Sequence, residues 1–323
     1  MKFRPSIFIL ILILTLISTL YMNLVVVRPN VDLRIEHEDK ILSGQMDAPY
    51  QYRVLQPILS NALQNLLDFP SRTLQHILTY TLLDYVTFAG IFFAFFALLR
   101  RSSLTDTSAL LGLALLQVVI PLSITGYDVN GDFITLLFYL LGLNLVFNGR
   151  EDFLPLVVGI ATFNREQIVF LIAFYLAYRL GHPKGIDRRA LRVMILSVAA
   201  FVAAYLSVRY YYGFKVSPAT TQLHIAHNTD PQQLLYIVLL WSAQVAGFAA
   251  LCVISFKRSI RYFKLAFLSL GIYLALFFVN GNLWEMAKFL PAFVIMIPMG
   301  LQAITGQYIE ASTFYGQKGD GDG

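Results

Sequence analysis

The residues IFILILILTLISTLYMNLVVV, from Ile7 to Val27, form an apolar run without a single charged side chain. As a helix this run would span about 32 Å at 1.5 Å per residue, which matches the hydrocarbon core of a bilayer. Similar runs recur along the 323-residue chain, which is 57% hydrophobic and only 13% charged. The sequence therefore predicts an all-α fold, a polytopic transmembrane helical bundle, and excludes a soluble protein.

Lys2 and Arg4 precede the first run, and no small-x-small cleavage site follows it. The run is also longer than the apolar region of an ordinary signal peptide. Because Lys and Arg mark the cytoplasmic ends of membrane helices, we expect an uncleaved first helix whose N-terminus is cytoplasmic. We attribute the net charge of +5 mainly to basic residues that set the topology, and it does not imply a nucleic-acid partner.

Basic residues also assign the sides of the later turns, since every predicted cytoplasmic turn contains Arg or Lys. The eight predicted full spans are 7–27, 73–99, 108–124, 133–147, 191–212, 234–256, 265–279 and 289–304. The predicted outer segments are 28–72, 126–132, 213–231 and 280–288. We expect one transmembrane domain, 1–312, in a bacterial inner (plasma) membrane, with both termini cytoplasmic and a disordered polar tail, 313–323.

The segment from Phe153 to Leu180 is too long for one helix and too short for two full spans. Asn164-Arg165-Glu166 lies near its middle, and basic residues flank both ends. We predict a hairpin of two short helices that enters the membrane and returns, with Arg165 and Glu166 at its tip. Because charges at membrane depth are costly, the tip should face protein or a wet cavity. The alternative role of these charges is an ion pair that only joins helices.

The first outer loop begins RPNVDLRIEHEDKILSGQMDAPYQYRVLQP and is the longest charged interval between two apolar runs. Asp32, Glu36 and Asp39 recur at helical spacing, and Glu38 stands beside Asp39. Such carboxylates could act as a general base or bind a divalent cation that holds a phosphate. They could equally form a solvated acidic helix surface.

Arg53 follows Tyr50 and Tyr52 and precedes an amphipathic stretch, 54–67. A guanidinium meets phosphate oxygens in a bidentate manner, so Arg53 could hold a phosphate. The alternative is an interfacial arginine that extends toward water from a helix start. The amphipathic stretch predicts a helix lying along the membrane surface.

Other candidate residues lie near later outer turns. Asp128 is in one such turn, where a turn or helix-cap role is the alternative. His224 has a second histidine three residues later and could bind a metal or an anion. Glu285 and Lys288, also three apart, could bind a head group or pair with each other. The single cysteine, Cys252, lies in an apolar run and excludes a disulfide framework and a zinc cluster of thiolates.

Three short motifs resemble the bacterial GT-C superfamily. They are the Tyr-Arg-Val-Leu-x-Pro segment within Pro49–Pro57, the hairpin with a basic tip at Thr162–Gln167, and the late outer turn with Glu285, Lys288 and Pro291. Members of that superfamily are integral-membrane glycosyltransferases that use polyprenyl-phosphate sugars. The resemblance implies transfer of a sugar to a lipid or glycan acceptor on the outer face of the membrane, as in polysaccharide biosynthesis of the cell envelope.

The resemblance also implies roles for individual residues. An acidic residue of the first loop would be the catalytic base, with Asp32 as first choice and Glu36, Glu38 and Asp39 behind it. The implied substrate-binding residues are Tyr52, Arg53, Asp128, Arg165, Glu166, His224, Glu285 and Lys288, of which Arg53, Arg165 and Lys288 would hold the donor phosphate. No cofactor is assigned, and a divalent cation stays open.

Two other classes of protein also fit the sequence. A lipid or polysaccharide transporter would line its path with intramembrane charges, and it would be expected to show related halves or broken helices in matching positions. The chain offers only one predicted broken hairpin. A non-catalytic subunit of an envelope-glycan assembly is the third alternative.

Overall fold

The computed structural model describes residues 4–67 and 69–316. These residues form helices and connecting turns, and no strand occurs among them. The first helices are α1 (Pro5–Met22), α2 (Val31–Leu42), α3 (Leu55–Leu66), α4 (Arg72–Arg101), α5 (Asp106–Leu122), α6 (Asn130–Phe147), α7 (Leu154–Thr162) and α8 (Phe170–Gly181). The later helices are α9 (Arg188–Tyr212), α10 (Thr221–Thr229), α11 (Pro231–Trp241), α12 (Gly247–Phe256), α13 (Arg261–Asn280), α14 (Leu290–Thr305) and α15 (Ala311–Gly316).

Seven helical segments in the described residues are long and apolar enough to cross a membrane. They are Pro5–Val27, Arg72–Arg101, Asn130–Phe147, Arg188–Tyr212, Pro231–Phe256, Arg261–Asn280 and Met286–Thr305. The remaining predicted span, 108–124, corresponds to α5, which has 17 residues and is about 26 Å long. The chain is therefore a multi-pass membrane protein, and the predicted all-α helical bundle is confirmed.

The centre of the bundle is α14, which is almost completely buried and packs against α5, α6, α12 and α13. By contrast, only a small share of α9, α11, α12 and α13 is buried, and each of these helices has large apolar side chains that are exposed. Large exposed apolar faces on a multi-pass protein are the surfaces that lipid covers. The core is thus formed by α4, α6 and α14, with an outer layer of lipid-facing helices.

The predicted hairpin of two short helices is confirmed. Helices α7 and α8 have 9 and 12 residues, or about 14 and 18 Å, and the chain between them is not α-helical. Arg165 has an extended backbone at the break, and its side chain is buried. The hairpin is held on both sides, because α7 packs on α9 and α8 packs on α13.

The first loop contains the two expected helices, α2 and α3. Helix α3 is amphipathic, but its apolar residues Ile58, Leu59 and Leu66 are exposed, whereas Ser60 is buried against α2. An apolar side that faces outward suits a helix at the membrane interface. The polar side of α3 then becomes available to line the interior of the loop.

Residues 313–316, where the sequence predicts the start of a disordered tail, lie in helix α15. Phe314 is buried there, and its ring centroid lies 4.9 Å from that of Phe147 and 5.8 Å from that of Tyr262. Burial of these aromatic rings outweighs the small, polar composition of the tail. The rest of the predicted tail, 317–323, lies outside the described residues.

Candidate functional site

Two adjoining cavities, which we call the charged cavity, lie where the first loop, the start of α6, the hairpin break and the turn before α14 meet. Four residues line both parts: Tyr50, Tyr127, Asp128 and Arg165. The part toward α2 and α4 has a volume of about 40 Å³. The part toward α14 has about 200 Å³ and includes Trp284, Glu285 and Lys288.

Arg165 is the central cation of the charged cavity. Its Nη2 lies 3.0 Å from Oδ2 of Asp132 and 3.2 Å from the backbone oxygen of Asp128, with Oδ2 of Asp128 at 4.0 Å. Its Nε and Nη1 atoms are buried and have no hydrogen-bond partner in the described structure. Arg165 therefore holds a buried carboxylate with one nitrogen, and its other two nitrogens have three N–H groups left for a ligand.

The hairpin tip is docked on the first turn of α6 by a neutral side chain. Asn164 donates from Nδ2 to the backbone oxygen of Gly131 at 2.7 Å and to Oγ1 of Thr135 at 2.8 Å. A Cβ atom on Gly131 would lie 3.3 Å from Nε of Arg165, so glycine permits this close approach. The sequence thus positions Arg165 through its neighbour Asn164.

Arg53 is the least compensated cation in the cavity. Its guanidinium stacks 4.8 Å from the ring centroid of Tyr50, and no carboxylate in the described residues comes within 4.0 Å of it. Its Nε and Nη1 atoms are buried without a partner. Burial and the neighbouring Arg165 lower the pKa of Arg53, but an arginine remains protonated at neutral pH. A half-buried guanidinium with two buried nitrogens free of partners is suited to an anionic ligand.

Lys288 enters the cavity from the turn before α14 and forms an ion pair with Glu285. Oε1 of Glu285 accepts a hydrogen bond from Nδ2 of Asn282 at 3.0 Å. His224 contacts this turn from α10, since its Nδ1 lies 3.0 Å from Oδ1 of Asn282. His224 therefore supports the turn and does not line the cavity. Lys288 and Glu285 do line it, and their ion pair is the alternative that the sequence left open, so substrate binding by them stays a prediction.

Asp128 is the accessible carboxylate of the cavity, with 31% of its side chain exposed, whereas Asp132 is buried. Burial alone would raise the pKa of Asp128, but the charges of Arg165 and Arg53 outweigh it and hold the pKa below its ordinary value. Asp128 is therefore ionised at neutral pH and faces the space that a ligand would occupy.

Three of the predicted first-loop acids lie on the outer side of α2. Glu36 pairs with Lys40 at 2.6 Å, and Asp39 pairs with Arg72 at 2.5 Å. Asp32 is exposed and makes no hydrogen bond or ion pair within the described ranges. None of the three lines the charged cavity. Their place is that of a solvated acidic surface, which is the alternative that the sequence left open.

Glu38, the fourth predicted acid, faces inward and lines the cavity. Its Oε2 accepts hydrogen bonds from Ser60 and Tyr80, both at 3.1 Å, and lies 3.7 Å from Nδ1 of His76. Burial raises the pKa of Glu38 to about 7, while the bonds from Ser60 and Tyr80 act in the opposite direction. Glu38 is thus the one predicted acid of α2 with both a perturbed pKa and access to the cavity.

Two predicted substrate-binding residues tie loops together outside the cavity. Tyr52 donates from its hydroxyl to the backbone oxygen of Gly213 at 2.9 Å, and the guanidinium of Arg209 lies 4.1 Å from its ring centroid. Glu166 pairs with Arg209 at 3.1 Å. Arg209 therefore joins the first loop to the hairpin, and direct substrate contact by Tyr52 or Glu166 stays a prediction.

Sequence reasoning missed Arg34, which is buried and lines the cavity. It donates to the backbone oxygen of Tyr127 and to Oδ1 of Asn130 at 2.7 Å, and thereby joins α2 to the start of α6. The sequence did indicate that Arg34 faces inward, because positions 34, 38 and 41 are spaced i, i+4 and i+7 on one face of a helix and position 41 is the apolar Ile41. That row is the buried face of α2.

No group of three or more His, Cys, Asp or Glu side chains converges as a metal site in the described residues. A divalent cation therefore stays a prediction. In comparisons with known proteins, no family model, no curated protein and no solved structure matches the chain. The resemblance to the GT-C superfamily rests on the residues quoted above, and function has to be argued from the charged cavity.

Proposed function

We propose that this protein is an integral-membrane glycosyltransferase that transfers a sugar from a polyprenyl-phosphate donor to a hydroxyl of a lipid or glycan acceptor. One observation carries the proposal. Arg165 holds Asp132 and Lys288 holds Glu285, and the cavity also contains Arg53, with no carboxylate within 4.0 Å in the described residues, and the partly exposed Asp128, whose Oδ2 lies 4.0 Å from Nη2 of Arg165. Such a site offers one group for a phosphate and one for a proton.

The donor side of the proposal rests on the cations. Arg53 and Arg165 together have four buried nitrogens without partners, and Lys288 adds a third basic side chain to the same cavity. A phosphate monoester or diester brings the acceptor oxygens that these N–H groups lack. A lipid-linked phosphate also suits a cavity at one end of a bundle whose outer helices face lipid.

The transfer itself needs a proton acceptor and a stabilised leaving group. The acceptor hydroxyl oxygen attacks the anomeric carbon, its proton passes to Asp128, and the bond between that carbon and the phosphate oxygen breaks. The polyprenyl phosphate leaves with the bonding electrons, and Arg53, Arg165 and Lys288 stabilise its growing negative charge. Asp128 can accept the proton because the same cations keep it ionised.

This geometry favours Asp128 over Asp32 as the base. Asp32 is exposed on the outer side of α2, while Asp128 borders the cations on both sides of the cavity. A base must lie within about 2.6–3.2 Å of the acceptor hydroxyl, directly or through one water. The two aspartates therefore make a matched pair for the same substitution.

The test is transfer by purified protein from a panel of polyprenyl-phosphate sugars, together with binding of unglycosylated polyprenyl phosphate. Asp128→Asn should lower turnover by about 10²–10⁴-fold, the usual contribution of acid–base catalysis, and Asp32→Asn should stay near the parent. Arg53→Gln should weaken binding of polyprenyl phosphate by about 10- to 100-fold, on the scale of one hydrogen bond to a charged group. Arg28→Gln, an exposed arginine at the same end of the bundle, is its control.

Three outcomes would contradict the proposal. If the parent protein does not bind polyprenyl phosphate, the proposed donor is wrong. If Asp128→Asn and the parent have equal turnover, Asp128 is not the base. Binding without transfer, together with movement of the lipid across a reconstituted bilayer, would establish the transporter alternative in its place.

A further inference from the structure

A second basic site lies on the surface of the bundle beside α6 and α7, and we call it the basic groove. Its residues are Arg101, Leu141, Asn144, Leu145, Asn148, Arg150 and Val157, around a space of about 780 Å³. The side chains of Leu141, Leu145 and Val157 form an apolar wall. Arg101, at the end of α4, and Arg150, after α6, stand at the polar end of this wall.

The basic groove is far from the charged cavity. Asp132 lies in the first turn of α6 and Phe147 in its last, so about 23 Å of helix separates the two sites at 1.5 Å per residue. They therefore lie at opposite ends of the bundle. In the predicted topology the basic groove is at the cytoplasmic surface.

The arginines of the groove differ from their neighbours at this end of the bundle. The neighbouring pairs are Arg100–Asp106 at 2.9 Å, Arg179–Asp187 at 2.6 Å, Arg189–Asp152 at 2.6 Å and Arg192–Asp152 at 3.0 Å. Arg101 only donates from Nε to the backbone oxygen of Phe147 at 3.0 Å. Arg150 is exposed, and its side chain makes no hydrogen bond or ion pair within the part of the chain that the structure describes.

We propose that the basic groove binds one anionic phospholipid. The phosphodiester would accept hydrogen bonds from Arg101 and Arg150, and an acyl chain would lie along the apolar wall. Basic pockets between membrane helices near one surface of the bilayer bind acidic head groups in this way. A zwitterionic lipid is disfavoured, because the two uncompensated guanidinium groups repel its ammonium group. A soluble phosphate would leave the apolar wall uncovered.

The test is a lipid titration of the full-length, delipidated protein in detergent, with bound lipid counted by native mass spectrometry. Phosphatidylglycerol is compared with phosphatidylcholine of the same acyl chains and with soluble glycerol phosphate. Arg101→Gln/Arg150→Gln should bind phosphatidylglycerol about 30-fold more weakly, at roughly fivefold per basic residue near a membrane surface. Val157→Trp, which fills the groove and keeps both arginines, should also weaken binding.

The matched control is Arg188→Gln/Arg261→Gln, which removes two exposed arginines outside the groove at the same end. It should bind phosphatidylglycerol like the parent. Equal binding of the two phospholipids, unchanged binding by Arg101→Gln/Arg150→Gln, or equal occupancy by glycerol phosphate would each overturn the proposal. A second copy of the chain covering the groove, seen as a dimer that lipid does not dissociate, would do the same. Because the readout is lipid binding at the far end of α6, these outcomes are independent of sugar transfer.

Discussion

Replacing Arg53 by methionine should make the ligand-free protein more stable and should weaken its binding of the anionic ligand. The reason is that Arg53 has no carboxylate within 4.0 Å in the described residues, and both its Nε and Nη1 are buried without partners. Methionine has a similar length and removes these N–H groups without adding a charge. A group that destabilises the empty site is expected where binding of an anion restores the balance.

The size of the effect follows from the contacts of Arg53. Each unsatisfied buried donor nitrogen costs about 1–3 kcal/mol, so removing Nε and Nη1 gains at least about 2 kcal/mol. Losing the contact with the ring of Tyr50 costs about 0.5–1 kcal/mol. The unfolding free energy of Arg53→Met should therefore rise by at least about 1 kcal/mol, while affinity for polyprenyl phosphate falls at least tenfold.

The same substitution at Arg165 provides the matched control, because it should lower the unfolding free energy where Arg53→Met should raise it. Arg165 lies 3.0 Å from the buried carboxylate of Asp132, so Arg165→Met leaves that charge without a partner. Removing one member of a buried ion pair costs about 3–5 kcal/mol. Thermal unfolding in one detergent, with and without polyprenyl phosphate, measures both variants.

The expected order of ligand-free stability is Arg53→Met, then parent, then Arg165→Met. Added polyprenyl phosphate should raise the unfolding temperature of the parent and raise that of Arg53→Met much less. A destabilised Arg53→Met variant that keeps the parent affinity would refute the reasoning. Arg53 would then be a structural residue of the loop.

Two further predictions concern the acid and the topology. Glu38 has a pKa of about 7 against 4.5 for an unperturbed glutamate, so the folded protein holds this proton more tightly and should lose roughly 3 kcal/mol of stability as the pH rises from 4.5 to 7. Glu38→Gln should flatten this part of the stability–pH profile, and an unchanged profile would contradict the raised pKa of a buried Glu38 carboxyl. In a Cys252→Ser background, a cysteine at Asp32 should react with a membrane-impermeant reagent in intact cells, and a cysteine at Lys184 should react only after permeabilisation; the reverse pattern would invert the predicted topology.

The helical bundle could be predicted from the sequence because the bilayer imposes one length scale. Apolar runs near 20 residues and the flanking basic residues place each span, and the length of 153–180 together with Arg165 places the hairpin break. The α15 helix could not be predicted, because it depends on one aromatic residue, Phe314, meeting a surface formed by α6 and α13. The composition of a segment shows which residues it contains, but it does not show which surface of the protein the segment packs against.

The candidate site was predicted in part, for a related reason. Arg53, Arg165, Asp128, Glu285 and Lys288 stand out because each charge lies beside an apolar run, and all five line the charged cavity. The first-loop acids were harder to rank, since α2 has carboxylates on two faces and spacing alone does not say which face is buried. Glu38 is separated from its neighbours only by the contacts of α3 and α4.

The charges of the cavity occur where helices are interrupted, and this coincidence has a physical cause. A break in a membrane helix exposes backbone groups that must find partners within the protein. At the hairpin break the backbone oxygen of Phe163 accepts a hydrogen bond from the backbone nitrogen of Leu55 at 3.0 Å, two residues after Arg53. The contact that satisfies the break therefore also brings Arg53 to Arg165. The first loop and the hairpin become one site because a backbone hydrogen bond joins them at the break, and the proposed anionic ligand would balance the charges that this contact brings together.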